Sequence, residues 1–167
     1  MIYVIDHEDS FTYNLVHLLE GFAPTYISNY YDINWRQLEK SKIIIFSPGP
    51  GNPSNYPETQ KVYKKYKGKK KIIGICLGFQ QVLYAENAQI VPQKKIYHGY
   101  QSKVKALKVS ALFKPNTVFL TGRYHSLKLK EPFNSSSLKI SMRCVESNVA
   151  MAIEDTINNV YGFQFHP

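Results

Sequence analysis

Cys76 stands in the run Ile72-Ile73-Gly74-Ile75-Cys76-Leu77-Gly78, with one glycine two residues before it and another two after. A nucleophile so flanked, between an apolar strand and a helix, is a nucleophile elbow with cysteine in place of serine. The turn is tight enough that a Cβ at either flanking position would meet neighbouring backbone, so glycine is required there. A helix starting at Leu77 aims free N–H groups and a positive dipole end at the sulfur. Such surroundings are expected to lower the thiol pKa and favour the reactive thiolate. The Leu77 N–H would also face the oxyanion formed when the thiolate attacks a carbonyl. Cys144 has no such setting and reads as a small buried hydrophobe.

A thiol nucleophile needs a base, and there are five histidines to choose from. His7 and His17 read as surface residues of the first unit, and His98, before Gly99, as a loop contact. His125 adjoins Ser126, but neighbours on a strand point to opposite faces, so those two form no dyad. His166 follows a strand over residues 160–165. If that strand runs parallel to 72–75, His166 shares the carboxyl edge with Cys76, where ligands gather in open α/β sheets. His166 is therefore favoured as the base, with His125 second. Ser47-Pro48-Gly49-Pro50-Gly51-Asn52-Pro53 also follows a strand. Its prolines stiffen the loop and its glycines would let a ligand approach the backbone, although a stiff turn without a ligand fits equally well. It is not a phosphate loop, because the Lys-Ser/Thr ending is missing.

The elements that must position these groups are legible as apolar runs and their punctuation. Residues 2–5, 43–46 and 72–75 read as buried strands. Helices are predicted from Asp9 or Ser10 as N-cap to Gly21, over 57–67 with Pro57 in the first turn, and over 77–86. Strands at 103–109, 117–120, 124–129, 138–144, 149–154 and 160–165 follow with no strong helix between them. The expected fold is α/β, a mostly parallel sheet covered on both faces with an antiparallel extension, in a single domain over 1–167.

Bulk properties narrow the function classes. The charge of +9 arises from 21 Lys and Arg against 12 Asp and Glu. Its densest run, from Lys64 to Lys71, reads as a helix end and loop, and no nucleic-acid-binding motif accompanies it. No apolar stretch approaches the ~20 residues that span a bilayer, and no signal peptide is visible. Two cysteines are too few for a disulfide framework. A cytoplasmic enzyme is expected, with no nucleic-acid or membrane partner.

Taken in order, several blocks resemble the class I glutamine amidotransferases, and among them the small subunits serving anthranilate and aminodeoxychorismate synthases. These blocks are Asp6 with the segment from Asp9 to Leu15, Ser47-Pro48-Gly49-Pro50-Gly51, and Gly74-Ile75-Cys76-Leu77-Gly78-Phe79-Gln80. They continue with His98-Gly99, Arg123-Tyr124-His125-Ser126-Leu127, and Gly162-Phe163-Gln164-Phe165-His166-Pro167. The resemblance implies a three-layer, flavodoxin-like fold in which Cys76 attacks the glutamine carboxamide and His166 serves as base. Backbone near Gly51 and Leu77 would hold the oxyanion, and Gly49, Pro50, Gly51, Leu77, Gln80, Ser126 and Leu127 would bind L-glutamine. Ammonia would pass to a larger, chorismate-binding synthase subunit, contacted by the Asp9–Leu15 and His98-Gly99 segments, with no metal or organic cofactor. The pattern departs at Phe79, where the family usually has His, and at Glu86-Asn87-Ala88, where paired glycines are common. The family's His-Pro is followed by a Glu that orients the histidine, whereas this sequence stops at Pro167. A Cys76–His166 dyad, impaired or purely an interaction subunit, and a domain without its closing C-terminal helix are the corresponding expectations.

Overall fold

The computed structural model describes residues 1–166, and its parallel half follows directly from the apolar runs. The strands are β1 (Ile2–Asp6), β2 (Thr25–Asn29), β3 (Ile43–Phe46), β4 (Lys71–Ile75) and β11 (Val160–Phe163). They lie in the order β2-β1-β3-β4-β11 and pair in parallel throughout. The antiparallel extension continues the same sheet from β11 through β10 (Ala150–Asp155), β9 (Lys139–Cys144) and β6 (Tyr100–Ala106) to β7 (Val118–Arg123). A separate two-stranded ribbon joins β5 (Ile90–Pro92) to β8 (Leu127–Leu129).

Strand alternation sends two sets of side chains to opposite faces. Tyr3, Ile5, Ile44, Phe46 and Ile72 share one core with α2 (Trp35–Lys40), α3 (Pro57–Tyr66) and α4 (Leu77–Ala85). Ile2, Val4, Ile45, Ile75 and Cys76 face the other way, against Leu15 and Val16 of α1 (Thr12–Glu20). A third cluster, with Val104, Met142, Cys144 and Met151, closes the antiparallel half. Among the described residues no helix is long and apolar enough to cross a membrane.

Several boundaries differ from the sequence reading. α1 begins at Thr12 with Phe11 as its N-cap and no side-chain cap. Asp9 instead accepts the Phe11 N–H at 2.8 Å, closing a turn ahead of the helix. β2 and α2 escape an apolar-run search because the edge strand Thr25-Tyr26-Ile27-Ser28-Asn29 is half-buried and α2 has only six residues, started by the Asn34 cap on Gln37. β7 runs on to Arg123 through residues that look like a polar loop, yet Thr121 and Arg123 point inward and are buried. The predicted strand over 124–129 keeps only its end, as β8. The basic run is the end of α3 followed by a turn at Gly68 (φ +74°), where Lys67 pairs with Glu86 at 2.6 Å.

α4 lies so close to the sheet that it admits no side chain at one contact. A Cβ on Gly78 would stand 2.2 Å from the Phe46 carbonyl oxygen of β3. Gly78→Ala is therefore expected to lower stability by about 3 kcal/mol or more, since the obstacle is backbone and cannot rotate away. Gly21→Ala is the control: its Cβ would approach only the Leu18 carbonyl, at 3.4 Å, and its φ of −65° suits alanine. Urea unfolding followed by circular dichroism should place that control within about 0.5 kcal/mol of the parent.

Candidate active site

β4 delivers Cys76 to the carboxyl edge in a strained conformation, φ 53° and ψ −102°. That region is disfavoured for a residue with a Cβ and costs about 1–3 kcal/mol unless surrounding contacts enforce it. Two do so: the Cys76 N–H donates to the Phe163 carbonyl on β11 at 2.8 Å, and the Cys76 carbonyl accepts the Gln80 N–H at 3.2 Å. The flanking glycines then have a steric cause. A Cβ on Gly74 would lie 2.2 Å from the Gly78 carbonyl oxygen, and Gly78 meets Phe46 as described.

The thiol is only 6% exposed. Its Sγ approaches the Tyr124 carbonyl at 3.9 Å and the Gln164 amide nitrogen at 3.7 Å. Burial, reinforced by the negative charge of Asp9, pushes the thiol pKa up to about 12, although the Leu77 N–H and the Gln164 amide pull it down. The expected lowering by the helix N-terminus is thus present and outweighed. In this state the sulfur is protonated at neutral pH.

β11 does run parallel to β4, so His166 reaches the edge that carries Cys76. The His166 N–H donates to the Gly122 carbonyl at 3.1 Å, a single bridge onto β7. Its imidazole packs against the rings of Phe11 and Tyr124, and its buried Nε2 has no hydrogen-bond partner. Burial lowers its pKa, against the opposing charge of Asp9. No hydrogen bond joins thiol and imidazole among the described residues; both instead touch Tyr124, one at its carbonyl and the other at its ring.

His125 is excluded as an alternative base by its own bonds. Its Nε2 accepts from Arg123 Nε at 3.0 Å while its Nδ1 donates to the Leu127 carbonyl at 2.8 Å. With one donor and one acceptor as partners, the ring is a neutral Nδ1–H tautomer with no free nitrogen. Burial, together with the Arg123 charge, depresses it to about 4. Ser126 is exposed and residues 124–126 lie outside any strand, so loop geometry rather than strand alternation separates it from His125. His7 is not a surface residue: it is fully buried, with Nε2 on Thr59 Oγ1 at 2.9 Å and Nδ1 near Ser47 Oγ at 3.2 Å, and burial drives its pKa down to about 3. His17 and His98 are exposed, as expected. Cys144 is buried beside Arg123 Nη1 at 3.4 Å.

The remaining named positions fall into two groups. Gly49 lies tight on the elbow, where a Cβ would stand 2.5 Å from His7 Cβ and 2.6 Å from Leu77 Cδ2. Gly51 sits at φ +77°, a conformation that favours glycine, and the exposed Pro50 accepts the Tyr56 hydroxyl at 2.6 Å. Gln80 is buried and donates its amide to Gln164 Oε1 at 3.1 Å, whose own amide reaches Cys76. Ser126 and Leu127 present carbonyls to Gln93 N–H and His125, and lie where β8 meets β5. A cavity of about 220 Å³ opens beside His166, between Phe11, Leu18, Pro48 and Ile75. The larger cleft, about 680 Å³, lies away from the elbow, between Asn52, Gln60 and the turn after α4. Gln164 was missed as a site residue, though its position two before His166 and its polarity within an apolar strand were visible signals.

The family profile described as glutamine amidotransferase class-I matches residues 3–167. Anthranilate synthase component 2 of Lactococcus lactis is 34% identical over 169 residues, covering 100% of this chain and 85% of the relative. The protein of the same name from Helicobacter pylori (strain ATCC 700392 / 26695) is 35% identical over 176 residues, covering 99% and 87%. Among solved structures, a Thermoplasma acidophilum protein assigned to GMP synthase superposes with a TM-score of 0.83 at 20% identity, covering 99% of this chain and 83% of that one. A glutamine amidotransferase from Thermotoga maritima gives 0.74 at 16% identity, covering 99% and 74%. At those identities the superpositions speak for the fold, which is consistent with the flavodoxin-like α/β arrangement that the resemblance implies.

The two buried imidazoles make stability depend on pH in a definite direction. Each is neutral when folded and takes up a proton on unfolding, so their contribution is complete above pH ~6.5 and lost as pH falls toward 4 for His125 and 3 for His7. At pH 5 each should have lost about 2 kcal/mol relative to pH 7. Urea midpoints across that interval should show this slope, and His7→Gln should remove about half of it.

Proposed function

Since this chain belongs to the class-I glutamine amidotransferase family, we propose that it hydrolyses L-glutamine through a Cys76 thioester and supplies the ammonia to a larger synthase subunit. The carrying observation is the strained elbow, which holds Cys76 between two glycines that admit no Cβ, at the edge that His166 reaches from the adjacent parallel strand. Strain of this kind survives only where the surrounding structure enforces it, and it is characteristic of functional sites.

The steps follow from the groups at that edge. His166 takes the thiol proton as the sulfur bonds to the side-chain carbonyl carbon of glutamine. The Leu77 and Gly51 N–H groups stabilise the resulting oxyanion. His166 returns the proton to the nitrogen, the C–N bond breaks and ammonia leaves. Water, deprotonated by His166, then attacks the thioester carbonyl, the C–S bond breaks to release glutamate, and His166 returns the proton to the sulfur. Gly49, Pro50 and Gly51 would line the substrate on one side, and Ser126 and Leu127 on the other. Gln80 acts one step back, through Gln164. The buried thiol has its pKa raised, so its proton must leave as the sulfur attacks.

The partner we propose is a chorismate-binding synthase subunit that forms anthranilate or 4-amino-4-deoxychorismate, in the cytoplasm. The name component 2, carried by relatives that align over 100% of this chain, supports a second component. No metal or organic cofactor enters the scheme. Glutamine-like electrophiles test it directly. A diazoketone analogue should label Cys76, and Cys76→Ser should lose at least about 10³-fold in glutamate release while the complex still uses added ammonia. No glutamate release by the parent complex, with Cys76→Ser identical and Cys76 unlabelled, would point to a non-catalytic subunit, and hydrolysis of glutamyl peptides without a partner would point to another thiol hydrolase.

A further inference from the structure

We propose that Phe11 and Tyr124 are positioning residues that clamp the His166 imidazole between their rings. The inference rests on the reading of His166 as the base. The imidazole makes no side-chain hydrogen bond among the described residues, and its buried Nε2 is unpartnered. Two aromatic rings from other parts of the chain pack on it. Phe11 meets it edge-on with centroids 5.0 Å apart, and Tyr124 lies tilted at 5.1 Å. Phe11 and Tyr124 also touch each other at 5.1 Å, which closes the triangle. All three separations fall in the range where aromatic rings attract one another in edge-to-face or tilted geometry.

The three rings come from distant parts of the chain, and each is seated independently. Phe11 is anchored by its N–H on the Asp9 carboxylate and by its carbonyl, which accepts the Leu15 N–H of α1. Tyr124 follows β7, with the edge of His98 against its ring at 5.6 Å. Its hydroxyl makes no hydrogen bond among the described residues, so the ring alone is engaged. Tyr124 also touches the nucleophile, its carbonyl standing 3.9 Å from Cys76 Sγ. One residue thereby meets both reacting groups, through its backbone and through its side chain. Packing of this kind restricts the ring, which lowers the entropy cost of reaching attack geometry.

The test is kinetic, on the full chain assembled with its synthase partner. Phe11→Leu and Tyr124→Leu should each lower kcat for glutamine hydrolysis by about 10- to 100-fold, with KM changed by no more than about threefold. The acid limb of the kcat/KM profile should move to higher pH in both, because removing a ring returns water to an imidazole whose pKa burial depresses. Asp9, ahead of α1, and His125, on the β7–β8 connection, are the titratable groups that act on His166, and neither variant alters them. Tyr124→Phe keeps the ring and should recover most of the kcat lost in Tyr124→Leu. Unfolding midpoints of all three serve as the check on folding. Unaltered kcat and acid limb in both leucine variants, alongside an inactive His166→Ala, would refute the clamp and leave the base standing. A fully active His166→Ala would remove the base and the clamp together.

Discussion

The contact on which the site depends is one between backbones. Gly78, in the first turn of α4, rests on the Phe46 carbonyl of β3, and Gly74 of β4 rests on Gly78 in turn. Helix, central strand and neighbouring strand are brought together at distances that exclude even a methyl group. That closeness bends the chain through the positive φ of Cys76 and presents its side chain at the strand's end. The apolar layers on both faces supply the force. Phe79, Val82 and Leu83 are buried on one side, and Ile75 with Leu15 and Val16 on the other. Without them the strain at Cys76 would relax, and its stabilising bonds to Phe163 and Gln80 would have nothing to act against.

The parts of this arrangement decided by near neighbours were legible in the sequence. The elbow follows from glycine spacing within a few residues, and the three inner strands β1, β3 and β4 follow from three apolar runs, whereas the edge strand β2 does not show itself. The antiparallel extension was also visible, though β7 hides its inward-facing Thr121 and Arg123 behind a loop-like composition. What escaped depends on partners far along the chain. His7 looks like a surface residue until Ser47 and Thr59, 40 and 52 positions away, enclose it. The thiol illustrates the same division. The favourable effect of the adjacent helix could be read locally, whereas the burial that outweighs it is set by the fold as a whole. The second base candidate fell for the same reason, since only the folded chain shows both nitrogens of His125 occupied.

A guanidinium sits in the interior beside these groups. Arg123 is fully buried and makes no ion pair among the described residues. Its charge is met instead by the face of Tyr97, 3.5 Å from the ring centroid, by the neutral His125 and by Ser102. Buried charge is costly unless well solvated by dipoles and π-faces. The arrangement explains why His125 must stay neutral: protonation would set two cations in contact.

The bridge from His166 to Gly122 carries a mechanical consequence. Cys76 is tied to the parallel half of the sheet, while the base is fastened by its N–H to β7, the edge strand of the antiparallel half. Cys76 and His166 thus follow adjacent parallel strands, and His166 alone adds a bond to the outer, antiparallel part of the sheet. One backbone bond therefore ties the end of the central parallel strand pair to the far edge of the sheet.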